Sequence, residues 1–275
     1  MIELPDEANP VRLVCGESLA ILQSIPDGCL DAVITDPPYS SGGFTRSDKG
    51  ASVAEKYQQS GTERQYAAFS GDNRDQRGWA YWCTLWLSEC LRATRVGGYC
   101  LMFCDWRQQP TAADVLQAGG WFWRGTIGWD KGLGSRAPHK GYFRHQLEFV
   151  VWGTNGSIDV PPIDDPRGGP WPGCFPYPTK QDDKHHLTGK PTPLMRELVR
   201  VAPPGGLILD PFAGSGTTLV AAAQEGRMAI GIEQEPAYVE IGRRRIDDAL
   251  GVGGLFSPPR PAAADLFANP QEPTP

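Results

Sequence analysis

A run of apolar residues, Leu30 to Thr35, ends abruptly in an acid, two prolines and an aromatic ring, Asp36-Pro37-Pro38-Tyr39. Proline has no N–H to give to a sheet ladder, so a buried strand cannot continue through this tetrapeptide. The strand must stop and hold Asp36, the Pro38 carbonyl and the Tyr39 ring at its carboxyl end, which in open α/β sheets is where ligands bind. A carboxylate, a bare carbonyl and a π-face suit a flat ring carrying an exocyclic amine: the first two accept its two N–H bonds and the third stacks on it. An Asp-Pro turn after a strand is common by itself. A second element sets this one apart. Leu207-Ile208-Leu209-Asp210 is again an apolar strand ending in an acid, followed by Pro211-Phe212-Ala213-Gly214-Ser215-Gly216-Thr217-Thr218. Gly214 and Gly216 permit positive φ and close approach of backbone to a ligand. Thr217 and Thr218 open a helix whose free N–H groups favour an anionic group. Glu233 ends the next strand, near the ~20-residue offset at which nucleotide-binding folds place a ribose-gripping acid. A Rossmann dinucleotide site is the main rival, but the third glycine is absent and Pro211-Phe212 replaces the Gly-x-Gly entry.

Between these elements the chain alternates strand and helix patterns. Strands are expected at Arg12–Gly16, Leu30–Asp36, Tyr99–Cys104, Trp121–Trp129, Gln146–Trp152, Gly205–Asp210 and Met228–Glu233. Helices are expected at Glu17–Ser24, from Trp79 to Arg95 closed by Gly97-Gly98, at Arg107–Gln117, Thr192–Val201, Ser215–Glu225 and Pro236–Leu250. This alternation implies an α/β fold with a doubly wound, mostly parallel, Rossmann-like sheet. Residues 1–250 read as one domain. Two segments without sustained period, 40–78 and 154–184, read as loop insertions, and the proline- and alanine-rich tail, 251–275, as disordered.

Bulk properties narrow the function. No apolar run approaches the ~20 residues of a membrane span, and no basic and apolar leader opens the chain, so a cytoplasmic protein is expected. The seven cysteines show no Cys-x-x-Cys pair, which fits reduced thiols and no metal site. None follows a proline, so the chain does not resemble the cytosine-C5 methyltransferases, whose nucleophilic cysteine follows one, which argues against covalent attack on a pyrimidine ring. Net charge is −6, yet from Lys131 to Leu147 there are Lys131, Arg136, Lys140 and Arg144 and no acid, whereas residues 1–36 hold seven acids and one arginine. Such segregation leaves room for one basic face.

The two motifs together resemble the S-adenosylmethionine-dependent amino-methyltransferases of DNA, over roughly residues 11 to 250. Their catalytic motif reads Asp-Pro-Pro-Tyr and their cofactor motif Asp-Pro-Phe-x-Gly-x-Gly-Thr; the catalytic motif coming first is the permuted arrangement of the β class. The resemblance implies transfer of a methyl group from S-adenosylmethionine to an amine of a flipped base in double-stranded DNA. It places Asp210 and Gly214 beside the methionine part of the cofactor and Glu233 on the ribose hydroxyls. His186-Leu187-Thr188-Gly189-Lys190-Pro191 is similar to a family segment bordering the cofactor pocket, which assigns Thr188 and Lys190 to cofactor binding, with Lys190 on the methionine carboxylate. Glu17 stands where the family usually has Asp at the adenine end of the pocket. Asp36 joins the cofactor set as well as the catalytic one. In this family Asp at the first catalytic position goes more often with N6-adenine and Ser with N4-cytosine, so adenine is expected and cytosine is the alternative. A DNA-binding protein with a vestigial cofactor pocket, and an RNA or small-molecule acceptor, are further alternatives.

Lys131, Arg136, Lys140 and Arg144 are the expected DNA contacts, and the loop carrying Arg46, Lys49, Arg64 and Arg74 is placed to close over a flipped base. The 154–184 segment is the expected target-recognition region, against the sign of Asp159, Asp164, Asp165, Asp182 and Asp183. The Trp79, Trp82, Trp86 stripe reads as core, with a homodimer face, as β-class relatives often form, the lesser reading. In the tail, Ala264-Asp265-Leu266-Phe267 bears a faint likeness to sliding-clamp-binding peptides.

Overall fold

Hydrophobic alternation and glycine punctuation resolve into eight strands and six helices among the described residues. A computed structural model describes residues 2–39, 74–137, 139–158, 162, 164–165, 167–178 and 189–251. In chain order the elements are β1 (Val11–Cys15), α1 (Ser18–Leu22), β2 (Leu30–Thr35), α2 (Gln76–Ala93), β3 (Thr94–Cys104), α3 (Gln109–Ala118), β4 (Phe122–Asp130), β5 (Leu147–Thr154), β6 (Cys174–Pro176), α4 (Thr192–Val199), β7 (Leu207–Asp210), α5 (Thr217–Gln224), β8 (Met228–Glu233) and α6 (Pro236–Ala249). The strands form one sheet in the order β1-β8-β7-β2-β3-β5-β4-β6. Every neighbouring pair is parallel except those made by β5, which runs antiparallel to both β3 and β4. The expected doubly wound, mostly parallel sheet is therefore present.

The strand order places the two motifs side by side. β2 and β7 are neighbours, with Ala32 opposite Ile208 and Val33 opposite Leu209. From β2 the chain winds through α2 to β3 on one side; from β7 it winds through α5 to β8 on the other. Where the winding direction reverses, the connections part and leave a crevice at the strands' carboxyl ends. Asp36 and Asp210 stand at that edge.

Both faces of the central strands are covered, which is why β2 and β7 read as continuous apolar runs rather than alternating ones. On one face Trp79, Trp86, Leu87 and Cys90 of α2 pack with Leu22, Leu116, Val33, Cys100 and Met102. On the other, Leu194 and Leu198 of α4, Leu219 and Val220 of α5 and Ile246 of α6 meet Ala32, Ile34, Leu101 and Phe103. Trp79 and Trp86 are fully buried, so the tryptophan stripe is core. All seven cysteines are free thiols, no metal-ligating cluster occurs among the described residues, and no described helix is long and apolar enough to cross a membrane.

Three expectations are corrected. Helix α2 begins at Gln76, inside the segment read as loop through Gly78, because Asp75 caps it by accepting a bond from the Gly78 N–H at 2.7 Å. Gly97-Gly98 do not end this helix; it gives way at Thr94 to extended backbone, and both glycines lie within β3. Gly98 is needed there, since a Cβ would meet Thr94 Cγ2 at 2.4 Å and the Asp31 carbonyl at 3.0 Å. Finally, the 154–184 segment contributes β6, which pairs with β4 at the sheet edge. Proline is tolerated on an edge strand, and its abundance hid the strand from pattern reading.

Gly231 of β8 sits under the cofactor turn, where a Cβ would approach Leu219 Cδ2 to 2.6 Å and Ala213 Cβ to 2.9 Å. Gly231→Ala should therefore destabilise the chain by about 1–3 kcal/mol through overpacking. Urea unfolding checks this; an unchanged midpoint would mean that α5 shifts freely.

Candidate active site

At the end of β2 the chain turns through Pro37 and Pro38, and two side chains pin the turn. Trp79 Nε1 donates to the Pro38 carbonyl at 2.7 Å and Gln108 Nε2 donates to the Tyr39 carbonyl at 2.8 Å. Pro38 was expected to offer its carbonyl to a ligand; the buried indole already takes one of its two lone pairs. The Pro37 carbonyl accepts no bond from any described residue.

Asp36 belongs to a tight charged cluster. Lys190 Nζ lies 2.6 Å from Asp36 Oδ2, 2.7 Å from Glu148 Oε1 and 2.9 Å from the Tyr39 hydroxyl. The Tyr39 hydroxyl donates to Asp36 and lies 3.2 Å from Glu148 Oε1. The rings of Phe103, Tyr39 and Trp129 lie 5.0, 5.4 and 5.8 Å from Lys190 Nζ. Lys131 Nζ adds a 3.5 Å contact to Glu148 Oε2. Two carboxylates and two ammonium groups thus balance in a largely buried site, with Asp36 the most exposed of the four.

Their protonation follows from how the charges are shared. Burial pushes Asp36 up, Lys190 pulls it back, and the nearby Glu148 pushes it up again, so it stays above the usual carboxylate range. Glu148 resists the same burial because both Lys190 and Lys131 face it, and it ends below its usual value. Burial would neutralise Lys190, but the two carboxylates outweigh it and keep the ammonium charged. Burial, then Asp36 and Glu148, hold the Tyr39 phenol well above its usual range, so it remains a donor.

Two assigned contacts are corrected here. Lys190 was expected on a cofactor carboxylate; its ammonium is committed to Asp36 and Glu148, and its side chain is only 7% exposed. Lys131 was expected on DNA; it turns inward to Glu148. Glu148 itself was not among the expected site residues. Its signal is an acid inside an otherwise apolar strand run, which a sheet accepts only when a cation faces it.

The second half of the site is the turn after β7. Asp210 is buried and its carboxylate takes three donors: the Thr35 hydroxyl at 2.8 Å, the Thr218 hydroxyl at 2.5 Å and the Phe212 N–H at 3.1 Å. With these bonds it braces from beneath the turn that was expected beside the methionine part of the cofactor. Gly214 and Gly216 have φ of +52° and +79°, values that side-chain-bearing residues rarely adopt. The hydroxyls of Ser215 and Thr217 are held by Arg245 Nη1 at 3.1 and 3.0 Å, and the hydroxyl of Thr218 by Asp210, so these side chains build the turn while its backbone is left to contact a ligand. Phe212 packs between Trp82 and Trp86, at 5.1 and 5.2 Å, and Ala213 ties to β8 through the Ile232 carbonyl. The Pro211 carbonyl accepts from Ser18 Oγ at 2.5 Å. Ser18 and Arg245 are contributors that sequence reading missed.

Glu233, at the end of β8, accepts from the Gly214 and Glu235 N–H groups, each at 2.8 Å. One bond on each oxygen leaves both able to accept a hydroxyl, and burial raises its pKa. These acceptors, with the helix start at Thr217, fit a nucleoside bearing a charged amino-acid tail. Glu17 does not join it: its carboxylate caps α1, accepting from the Ala20 N–H at 2.8 Å. Arg136, Lys140 and Arg144 lie exposed on the β4–β5 loop. Thr188, Arg46, Lys49, Arg64, Asp159, Asp182, Asp183 and the clamp-like tail peptide lie outside the described residues.

Burial lifts the Asp210 carboxyl to about 6 against the pull of its three donors. A folded-state value raised above the unfolded one means that stability from this group is full below about 4 and is lost as pH rises through about 6. Asp210→Asn should remove this dependence. The stability difference between wild type and variant should change by on the order of 2–3 kcal/mol between pH 4 and 7. Denaturant titrations at several pH values check it; parallel curves would place the charge elsewhere.

Comparison with known proteins agrees with this geometry. The chain is 27% identical over 236 residues to YubD of Escherichia coli (strain K12), covering 86% of this chain and 89% of that protein. It superposes on a DNA modification methylase of Thermus thermophilus, TTHA0409, solved in complex with S-adenosyl-L-methionine, with a TM-score of 0.62 at 21% identity, covering 87% of this chain and 95% of that one. It also superposes on the cytosine-N4-specific PvuII DNA methyltransferase with a TM-score of 0.63 at 17% identity, covering 88% and 92%. The DNA methylase family model, which spans N6 and N4 amino-methyltransferases, matches residues 30–244, and the chain belongs to that family.

Proposed function

We propose that the chain transfers a methyl group from S-adenosylmethionine to the N6 amine of an adenine flipped out of double-stranded DNA. The observation that carries this reading is the seam between β2 and β7. The residue before Asp36, Thr35, bonds to Asp210, the residue that starts the glycine turn, at 2.8 Å. An acceptor for an exocyclic amine and a turn built for a nucleoside ligand are thereby fixed against each other.

In the bound state S-adenosylmethionine supplies an electrophilic methyl group on a sulfonium sulfur. Glu233 would hold the ribose hydroxyls, and the backbone of residues 214–218 the carboxylate end. An amine in duplex DNA is paired and stacked, so the nucleotide must leave the helix at a cost of a few kcal/mol. The Tyr39 ring recovers part of that by stacking, roughly 1–3 kcal/mol. The amine's lone pair is delocalised into the ring. Asp36 accepts one N–H; with Pro38 held by Trp79, the Pro37 carbonyl accepts the other. Both bonds favour a more tetrahedral nitrogen, and positioning carries much of the rate. Lys190 acts through Asp36, keeping it an anionic acceptor despite burial. The acid at the first motif position favours adenine over cytosine. Residues 1–250 form the catalytic domain in this reading, with 40–78 and 154–184 as DNA-contacting segments.

Asp36→Ala should lower methylation by roughly 10²–10⁴-fold while leaving S-adenosylmethionine binding in calorimetry nearly unchanged. An active Ala variant would remove Asp36 from this role. Mass spectrometry of digested product DNA identifies the base: N6-methyladenine supports the reading and N4-methylcytosine replaces it with the alternative.

Lys190→Met leaves Asp36 and Glu148 facing each other without their shared cation, which raises the Asp36 pKa further. The acidic limb of the kcat/KM profile should move to higher pH by on the order of 1 unit, and Lys190→Arg should restore it. A uniform loss at all pH values would assign Lys190 a purely structural part.

A further inference from the structure

We propose that the β4–β5 loop is a duplex-opening wedge, with Phe143 as the side chain that enters the base stack when the target nucleotide leaves it. This inference rests on the reading of the site as a DNA amino-methyltransferase and adds the element that holds the opened duplex.

The loop grows directly from the site. Its first residue, Lys131, and the second residue of β5 beyond its far end, Glu148, are both members of the charged cluster around Lys190. Above these feet it is built rather than slack. The Lys131 N–H donates to the Gln146 carbonyl and the His145 N–H to the Arg136 carbonyl, both at 2.9 Å. Arg144 Nη1 reaches the Ser135 carbonyl at 2.9 Å. The His145 ring stacks on Trp106 at 5.8 Å with an interplanar angle of 6°. Gln146 Nε2 and the Gly132 N–H both bond to Asp130 Oδ1, at 2.7 and 2.8 Å.

At the tip of this stalk Phe143 is 96% exposed, beside Tyr142 at 57%. Phe143 stacks on no ring among the described residues. A lone exposed aromatic is ordinary on a protein surface. This one is carried on a hydrogen-bonded stalk rooted in the site and flanked by exposed Lys140, Arg144 and Arg136, with no acid from Lys131 to Leu147. On a chain of net charge −6, that local excess of cations selects a polyanion as the partner. Cations that grip phosphates around an apolar ring that can fill a gap between base pairs form the combination used to unstack a duplex step. Extruding a nucleotide leaves such a gap, and the ring occupying it slows the nucleotide's return.

The test starts with wild-type protein expressed in a methylation-free host, whose DNA is sequenced to find the modified site. A short duplex bearing that site is compared with the same duplex carrying a mispair opposite the target base, where opening costs less. Phe143→Ala should lower kcat/KM on the matched duplex by roughly 10–100-fold, as expected from one lost stacking contact, and recover to within about 3-fold of wild type on the mispaired duplex. Phe143→Leu, which keeps an apolar wedge, should fall between. Thermal melting of both variants should match wild type, as expected for a side chain in water. Equal losses on both duplexes, or no loss on either, would overturn the wedge while leaving the methyltransferase reading intact. A change in sedimentation with methylation unaltered would overturn it in favour of a self-association surface. A wild-type protein that modifies no DNA would remove the underlying reading and the wedge with it.

Discussion

Asp210 is a carboxylate almost out of contact with water, set where β7, β2 and α5 meet. Leaving such a group unpaired would cost several kcal/mol, so it must find donors, and the donors it finds come from three different parts of the chain. Thr35 ends the strand that carries Asp36, Phe212 opens the cofactor turn, and Thr218 starts the helix behind that turn. A leucine in the same volume would fill the seam but would not fix the distance between strand and helix, because apolar contact has no direction. The bond between Thr35 and Asp210 joins residues 175 apart in sequence. The relative position of the two halves of the site is therefore set by this one hydrogen bond together with the pairing of β2 with β7, and the permuted order of the motifs along the chain becomes immaterial to it.

The cluster around Lys190 follows a second logic. Burying two carboxylates together is unfavourable, and one ammonium shared between them offsets both the desolvation and the repulsion. The sharing is unequal: Glu148 has Lys131 as well, so it keeps its charge firmly, while Asp36 is left the more easily protonated of the two. Glu148 thus works as a counter-ion for Lys190, freeing the remaining acceptor capacity of Asp36 for an amine. The Tyr39 hydroxyl fills part of that capacity here, and an incoming amine must compete with it. In the proposed reading one aromatic residue then has two uses, its hydroxyl on the acid and its ring on the base, which accounts for tyrosine rather than phenylalanine at the end of the motif.

Most of the sheet was legible because its determinants are local. Proline stops β2 whatever surrounds it, and glycines at positive φ mark the turn after β7 in any context. What could not be read was set by contacts distant in sequence. Glu148 and Lys190 become partners only when β5 and the segment before α4 are brought to the end of β2. Ser18 and Arg245 reach the cofactor turn from 193 and 30 residues away. The family resemblance assigned Asp210 and Lys190 to the cofactor, yet their side chains point to protein partners, because a motif fixes where a residue stands and not what competes for its polar atoms. Glu17 illustrates the same competition: three residues before an unsatisfied helix N–H, a carboxylate caps the helix at little entropic cost. Strand β6 was missed for the converse reason, since edge position removes the constraint that proline normally violates.

The β4–β5 hairpin draws these threads together. β5 is the one antiparallel strand among those described, so β4 and β5 can be joined by a loop at the same edge of the sheet where Asp36 and Asp210 emerge. A parallel connection would have carried the chain back to the opposite edge and placed a helix on one face. Reversal of a single strand therefore lets one hairpin supply Lys131 and Glu148 at its base and an exposed basic, aromatic loop at its tip. The charge on the base is spent inside the protein and the charge on the tip faces water. The strand pair links them, and at its base Glu148 shares Lys190 with Asp36, two ion pairs on one ammonium. Net acidity of the whole chain is compatible with this arrangement because screening confines each charged face to about a Debye length of its own surroundings.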